Sequence, residues 1–313
     1  MGRRRKKGRP VNGWIVLDKD YDMGSTNAVA KLKWLFQAQK VGHAGTLDPL
    51  ATGILPIAFG EATKTAPYIT DAEKTYRFSA SWGAATSTDD KEGEIIARSD
   101  HRPSRADIEA VLPEFTGEIQ QTPPQFSAIM VNGERAYDIA RDGDTVDLPA
   151  RTILVHALRL LDTPDADTAV FEAVTGKGAY VRALVRDIAE TLGTKGHVSA
   201  LRRTAVGPFT EENAVTVAEL EGFETPEARD AALLSLHEAL TALPQAAIGA
   251  PEADKLRRGQ AAVLSPAVAR GVRAGESGVL PAVLAVENDT PVAICALDGL
   301  KLKPNRVFNL NAA

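Results

Sequence analysis

Asp48 stands out for its setting. It lies in Gly42-His43-Ala44-Gly45-Thr46-Leu47-Asp48-Pro49, a stretch punctuated by glycine and closed by proline. An ionised carboxylate in such a loop can act as a nucleophile, and loops often carry function. The Asp-Pro step reads equally as a helix start, with Asp48 as N-cap and Pro49 in the first turn. His43 by itself assigns no role. Tyr76 shares a strand face with Phe78, Ala80 and Trp82, which reads as core unless its hydroxyl has a task. Gly176-Lys177-Gly178 precedes a helical pattern, the arrangement of a phosphate-cradling turn. Lys177, Arg182 and Arg186 otherwise read as a solvated helix face. With five histidines, one cysteine (Cys295) and no paired metal-ligand spacing, no metal site and no intrachain disulfide are expected.

Several elements must position these groups. Trp14 to Leu17 reads as a strand. Ser25 reads as the N-cap of a helix with Val29, Leu32 and Phe36 on one face. Strands are predicted at 54–59 and 74–82, then a polar, turn-rich stretch at 83–93. A short helix is predicted at 106–112 and a hairpin at Met130-Val131-Asn132-Gly133. Strands at 152–161 and 169–175 lead to a helix with Val181, Leu184, Val185, Ile188 and Leu192 at helical spacing. Residues 225–243 read as helical and 244–251 as a linker. A small all-β unit follows, built from apolar runs separated by Gly, Pro and Asn.

Composition excludes whole classes. The chain has 313 residues, 44% hydrophobic and 25% charged, which excludes disordered, collagen-like and disulfide-scaffold proteins and predicts two domains. No apolar run approaches the roughly 18 residues of a membrane helix. The basic start has no apolar stretch after it, so no signal peptide is expected. A reducing cytoplasm is the expected location. The net charge is −5, yet Arg3, Arg4, Arg5, Lys6, Lys7 and Arg9 form a basic arm that leaves −11 on the rest. Such an arm either binds polyanions or is a solvated tail. Within the body, residues 176–207 carry an excess of four positive charges, the predicted basic patch.

Taken together these motifs resemble one family. Gly42 to Pro56 resembles the signature loop of the TruB family, the tRNA pseudouridine-55 synthases. Gly60-Glu-Ala-Thr-Lys64, Lys74-Thr75-Tyr76, Lys177-Gly178-Ala179-Tyr180-Val181-Arg182 and Ala200-Leu201-Arg202-Arg203-Thr204 resemble its further motifs, in order, from Asn12 to about Pro208. The resemblance implies an α+β fold: a mixed, largely antiparallel sheet core flanked by helices and loops, plus a small C-terminal all-β PUA-like domain. It implies an arm at 1–10, a catalytic domain at 11–247 with an RNA-binding insertion near 104–150, and the PUA-like domain at 248–313.

The implied roles follow residue by residue. Asp48 would be the catalytic aspartate, Tyr76 the tyrosine on the target base and Arg182 the ion-pair partner of Asp48. His43 would help rearrange the RNA loop, and Tyr180 and Leu201 would line the base pocket. Lys19, Lys64, Lys177, Arg202 and Arg203 would contact substrate. No cofactor and no metal are implied. The partner would be the T-arm of tRNA, with no membrane, no obligatory protein partner and a monomeric state. The family usually reads Asp-Lys-Pro-x-Gly where this chain has Asp18-Lys19-Asp20-Tyr21-Asp22.

The bottom-up chemistry agrees: a flipped uridine can be isomerised without redox change by one carboxylate in a closed, apolar pocket. The alternatives are a synthase acting on another RNA, the guide-RNA-dependent branch, and an RNA-binding or tRNA-folding protein without catalysis. Thr46, standing where rRNA-modifying synthases usually carry arginine, disfavours the first. The insertion disfavours the second, and the joint presence of Asp48, Tyr76 and Arg182 disfavours the third. If the arm engages phosphates, deleting residues 1–9 should lower the log–log salt slope of tRNA binding by about two units, at roughly 0.7 to 0.9 per contact. Filter binding at several salt concentrations reads this out, and an unchanged slope identifies a solvated tail.

Overall fold

The computed structural model describes all residues except 1–7, 128, 132, 142–145, 274, 276 and 311–313. Most of the basic arm therefore lies outside the described residues. Arg9, its last member, is engaged in an ion pair with Asp230.

A nine-stranded mixed sheet carries the core. Its main path runs Gly13–Lys19, Thr52–Phe59, Gly196–Val206, Lys74–Trp82, Thr168–Thr175, Arg151–Asp165 and Gly117–Gln121. All neighbours on this path are antiparallel except Thr52–Phe59 with Gly196–Val206, which run parallel. Period-two alternation explains the Lys74–Trp82 strand: Lys74, Tyr76, Phe78, Ala80 and Trp82 are buried, while Arg77 on the other face is exposed. Phe78 stacks on Phe171 of the neighbouring strand at 5.3 Å. The helix Val181–Thr191 lays Leu184, Val185 and Ile188 on the sheet. Tyr76 pairs in register with Ala173 on one side and Arg203 on the other, at the centre of the sheet.

Several expectations change. Ser25 does not cap the Ser25–Leu35 helix; Gly24 holds that place without a side-chain bond. The Ser25 hydroxyl donates to the Leu47 carbonyl at 2.8 Å and accepts from the Leu47 amide at 2.9 Å. It pins the Asp48 loop instead, because buried backbone groups need partners. Asp48-Pro49 starts no helix. It opens a turn in which the Ala51 amide reaches the Asp48 carbonyl at 3.1 Å. The 225–243 stretch is two short helices, Pro226–Asp230 and Leu236–Ala239. Between them Leu234 exchanges backbone hydrogen bonds with Trp14, extending the sheet edge, and this sheet contact wins over helix propensity.

The predicted linker contains a strand, Gln245–Ala247, parallel to Leu280–Glu287. It belongs to a second, five-stranded sheet with Ala262–Val263, Thr290–Asp298 and Lys301–Val307. Two helices, Ala250–Arg257 and Pro266–Arg273, accompany it, so this region is mostly rather than wholly β. Trp14 and Phe209 of the large sheet share an apolar cluster with Leu284, Ile294 and Phe308. The 104–150 stretch holds the capped helix Arg105–Val111, the edge strand Gly117–Gln121, the expected hairpin Met130–Val131/Glu134–Arg135 and the helix Ala136–Arg141.

Gly53 shows how tightly the site is backed. Its φ is +96°, and a Cβ there would lie 2.2 Å from the Arg203 carbonyl oxygen on the parallel strand. Gly42 has open space around it. Gly53→Ala should therefore destabilise the protein by about 3 kcal/mol or more through backbone strain and overpacking, and Gly42→Ala by about 1 kcal/mol or less. Urea midpoints compare the two; equal losses would mean that this strand pairing yields freely.

Candidate active site

The segment that carries Asp48 is held from every side by its own backbone. Arg203, 1% exposed, sends Nε to the Ile54 carbonyl at 2.7 Å, Nη1 to the Thr46 carbonyl at 3.2 Å and Nη2 to the Gly45 carbonyl at 3.1 Å. Lys19, fully buried, donates to the carbonyls of Pro49 at 3.2 Å and Asp20 at 2.8 Å. The Asp22 amide also reaches the Pro49 carbonyl, at 2.9 Å. Asp22 has φ +62°, and it stands where the resembled motif has glycine. Aspartate tolerates that conformation better than most residues, so the loop closes without its proline and glycine.

The Asp48 carboxylate is partly open, and its Oδ2 lies 2.9 Å from Arg182 Nε. The Nε–H is not aimed at the oxygen, so this contact is Coulombic rather than an aligned hydrogen bond. Arg182 is not on a solvated face. It is buried; its Nη1 donates to the Thr88 carbonyl at 2.8 Å and its Nη2 to the Phe126 carbonyl at 2.9 Å. Its Nη1 also lies 3.5 Å from the buried Asp90 carboxylate. The physical reason is its position at the start of the helix, beside the sheet, where a cation can stay enclosed only with compensating partners.

A cleft of about 560 Å³ opens in front of this pair. Tyr76 and Leu201, both nearly buried, form its apolar wall with Val181 and Ile153. Tyr180 lines it too, clamped by Gln121, whose Oε1 accepts from the Tyr180 amide at 2.8 Å and whose Nε2 donates to the Tyr180 carbonyl at 3.1 Å. The Arg151 guanidinium lies 5.1 Å from the Tyr180 ring centroid. The structure thus brings Asp48, Tyr76, Arg182, Tyr180, Leu201, Lys177 and Arg203 to one cleft. Lys19 stands behind it, on Pro49. Asp90, Gln121 and Arg151 carry no signal in the sequence, while Lys74 belongs to the Lys74-Thr75-Tyr76 motif.

Other residues fall elsewhere. Lys64 bonds Glu61 at 2.6 Å and the Val307 carbonyl of the second sheet at 2.8 Å, away from the cleft lining. His43 is half-buried on a short strand, and its Nδ1 is enclosed without a hydrogen-bond partner among the described residues. Burial, with Arg203 nearby, holds the His43 ring below its ordinary pKa, which favours the neutral form. The predicted basic patch is mostly compensated. Arg202 pairs with Asp18 at 2.8 Å and Glu211 at 2.6 Å. Arg186 pairs with Asp89 and Asp187, both at 2.9 Å, and exposed Lys177 meets Asp71 at 3.3 Å. Arg203 is buried, and its donors go to the Ile54, Thr46 and Gly45 carbonyls.

Comparison with known proteins gives a family match. Residues 33–181 match the TruB family pseudouridylate synthase N-terminal domain, and residues 182–242 the tRNA pseudouridylate synthase B C-terminal domain. The chain is 51% identical over 312 residues to tRNA pseudouridine synthase B of Agrobacterium fabrum, covering 97% of each chain. It is 50% identical over 307 residues to the protein so named from Caulobacter vibrioides, covering 98% of this chain and 99% of that one. Its fold is similar to a chain of an H/ACA RNP bound to a substrate RNA containing 2'-deoxyuridine, with TM-score 0.71, 22% identity and coverage of 99% and 92%. A chain of a Cbf5-Nop10-Gar1 complex also gives TM-score 0.71, at 23% identity with coverage of 98% and 91%.

Two buried lysines, Lys74 in the cleft lining and Lys19 behind it, give a pH signature. Burial pushes the Lys19 ammonium down to about 8, and burial, aided by repulsion from Arg203, does the same for Lys74. A lysine whose folded pKa is lowered destabilises the fold while charged. That cost is full below about pH 8 and fades toward the unfolded value of about 10.4. Wild-type stability should therefore gain between pH 8 and 10. Lys19→Met and Lys74→Met should each flatten that gain by on the order of 1–2 kcal/mol. Urea unfolding across this range measures it, and identical pH slopes in all three proteins would refute it.

Proposed function

This chain belongs to the TruB family, and on that premise we propose that it isomerises uridine to pseudouridine at position 55 in the T-loop of tRNA, with Asp48 as nucleophile. One observation supports the assignment above others. A carboxylate beside a buried guanidinium faces a cleft walled by an aromatic ring and an aliphatic side chain.

The chemistry fits that arrangement. The target base must leave the RNA stack to reach Asp48, and Tyr76 offers its ring as a platform. The carboxylate adds covalently to the nucleotide while the N1–C1′ bond breaks. The base turns, C5 bonds C1′, the bond to the Asp48 carboxylate breaks and returns its electron pair to Asp48, the C5 proton departs and N1 takes up a proton. Atoms and electrons balance within one nucleotide, so this reading calls for no cofactor. Leu201, Val181 and Ile153 keep water from the freed base. Arg182 aims Asp48 and offsets its charge, while Thr88, Phe126 and Asp90 fix Arg182. Tyr180, held by Gln121, adds its side chain to the same lining.

Residues 11–247 form the catalytic domain, residues 248–313 a PUA-like RNA-binding domain, and residues 1–10 an arm. The protein acts alone, as a monomer, in the cytoplasm. Asp48→Asn should abolish turnover on unmodified tRNA, a loss of at least about 10⁴-fold, while affinity stays within about tenfold because phosphate contacts supply most of it. Pseudouridine mapping and filter binding measure the two. Measurable turnover in pure Asp48→Asn would sink the assignment.

A further inference from the structure

The loop after the opening strand carries a surface that the proposed chemistry leaves unused. Tyr21 is 49% exposed, yet its place is fixed, because Lys19 and Asp22 on either side both bond the Pro49 carbonyl. Pro49 is the residue after Asp48. The Lys91 ammonium lies 4.6 Å from the Tyr21 ring centroid. Lys91 belongs to a second anchored segment: its amide bonds the Val198 carbonyl at 3.0 Å, and its neighbour Asp90 faces Arg182. Two loops, each tied to the Asp48–Arg182 pair, thus meet at an aromatic ring and an ammonium.

We propose that Tyr21 is a stacking platform for a nucleobase of the RNA loop beside the target uridine, with Lys91 as its flanking cation. The proposal rests on the reading of the cleft as an RNA-modifying site. A nucleotide drawn into the cleft leaves its strand neighbours at the rim. An exposed, immobilised ring is the group that holds an unstacked base, since every base has a π-face. Asp20 and Asp22 flank Tyr21 in the sequence, Glu92 follows Lys91, and the Asp22 charge acts on Glu92, so these charges disfavour a phosphate there. An uncharged base meets no such opposition. Among the described residues Lys91 has no carboxylate partner within 4.0 Å, so its charge is available. The contrast is Trp34, 69% exposed beneath Lys31, where that ammonium is already paired with Glu221.

The test is a cycle between Tyr21→Ala and tRNA transcripts with an abasic site at each T-loop nucleotide outside the target. Tyr21→Ala should weaken binding of intact tRNA about tenfold, Tyr21→Phe should bind like wild type, and the single-turnover rate of both at saturating tRNA should stay within about twofold. At one loop position the abasic site should cost wild type about tenfold and Tyr21→Ala nothing further. Affinity of Tyr21→Ala within twofold of wild type would overturn the proposal. So would losses that multiply at every position, or a fall in saturating rate with unchanged affinity. The abasic series on wild type stands even if a variant folds poorly: if no position costs affinity, there is no stacked base. Pseudouridine formation by wild type is scored in the same samples. Its absence fells the functional reading, whereas an active wild type with multiplying losses fells only the platform.

Discussion

The buried Arg182 guanidinium is the constraint around which the rest is arranged. A cation enclosed to this degree costs several kcal/mol unless its partners surround it. Here four partners come from three places in the chain: Asp48 from the signature loop, Asp90 and the Thr88 carbonyl from the turn-rich segment, and the Phe126 carbonyl from the insertion. One side chain therefore joins three segments that lie far apart in the sequence. Removing a partner of such a charge typically costs about 3–5 kcal/mol, so the site and the fold share one electrostatic network. Asp48 is the member of that network left partly open, which is what a nucleophile requires.

Arg203 does the complementary work from behind, with carbonyls in place of carboxylates. Its three bonds go to Gly45, Thr46 and Ile54, and the strand that carries it pairs with Gly53. The close approach of its backbone is what makes Gly53 necessary. A loop rigid enough to aim a carboxylate is thereby made from residues with little intrinsic preference for order, because the carbonyls of Gly45, Thr46, Leu47 and Pro49 each find a donor.

Charge is deployed inward more than outward. An acidic body would repel RNA, and most arginines near the cleft are consumed by Asp18, Glu211, Asp89, Asp187 or carbonyls. Attraction to a polyanion then falls to local groups such as Arg151 in the cleft lining, and to whatever the basic arm adds. Specific contact with bases and shape gains weight relative to bulk electrostatics.

Local pattern carried much of this architecture. Alternation at Lys74–Trp82 and the apolar spacing after Val181 foretold a strand and a helix in their observed places, because both are set by side chains a few residues apart. The motifs around Asp48, Tyr76, Tyr180, Arg182 and Leu201 foretold that one cleft would gather them. Sequence could not decide between loop and helix at Asp48-Pro49, or between solvent and core for Arg182 and Arg203, since a charge's partners come from distant segments. Asp90, Gln121 and Arg151 were silent for that reason: each matters only through a residue dozens of positions away. Ser25 looked like a helix cap because a cap is the nearest use for a hydroxyl, yet folding placed the Leu47 backbone closer. Spacing along the chain determines what faces the sheet; only the packed structure decides which buried charge or carbonyl meets which, because burial makes pairing obligatory without saying with whom.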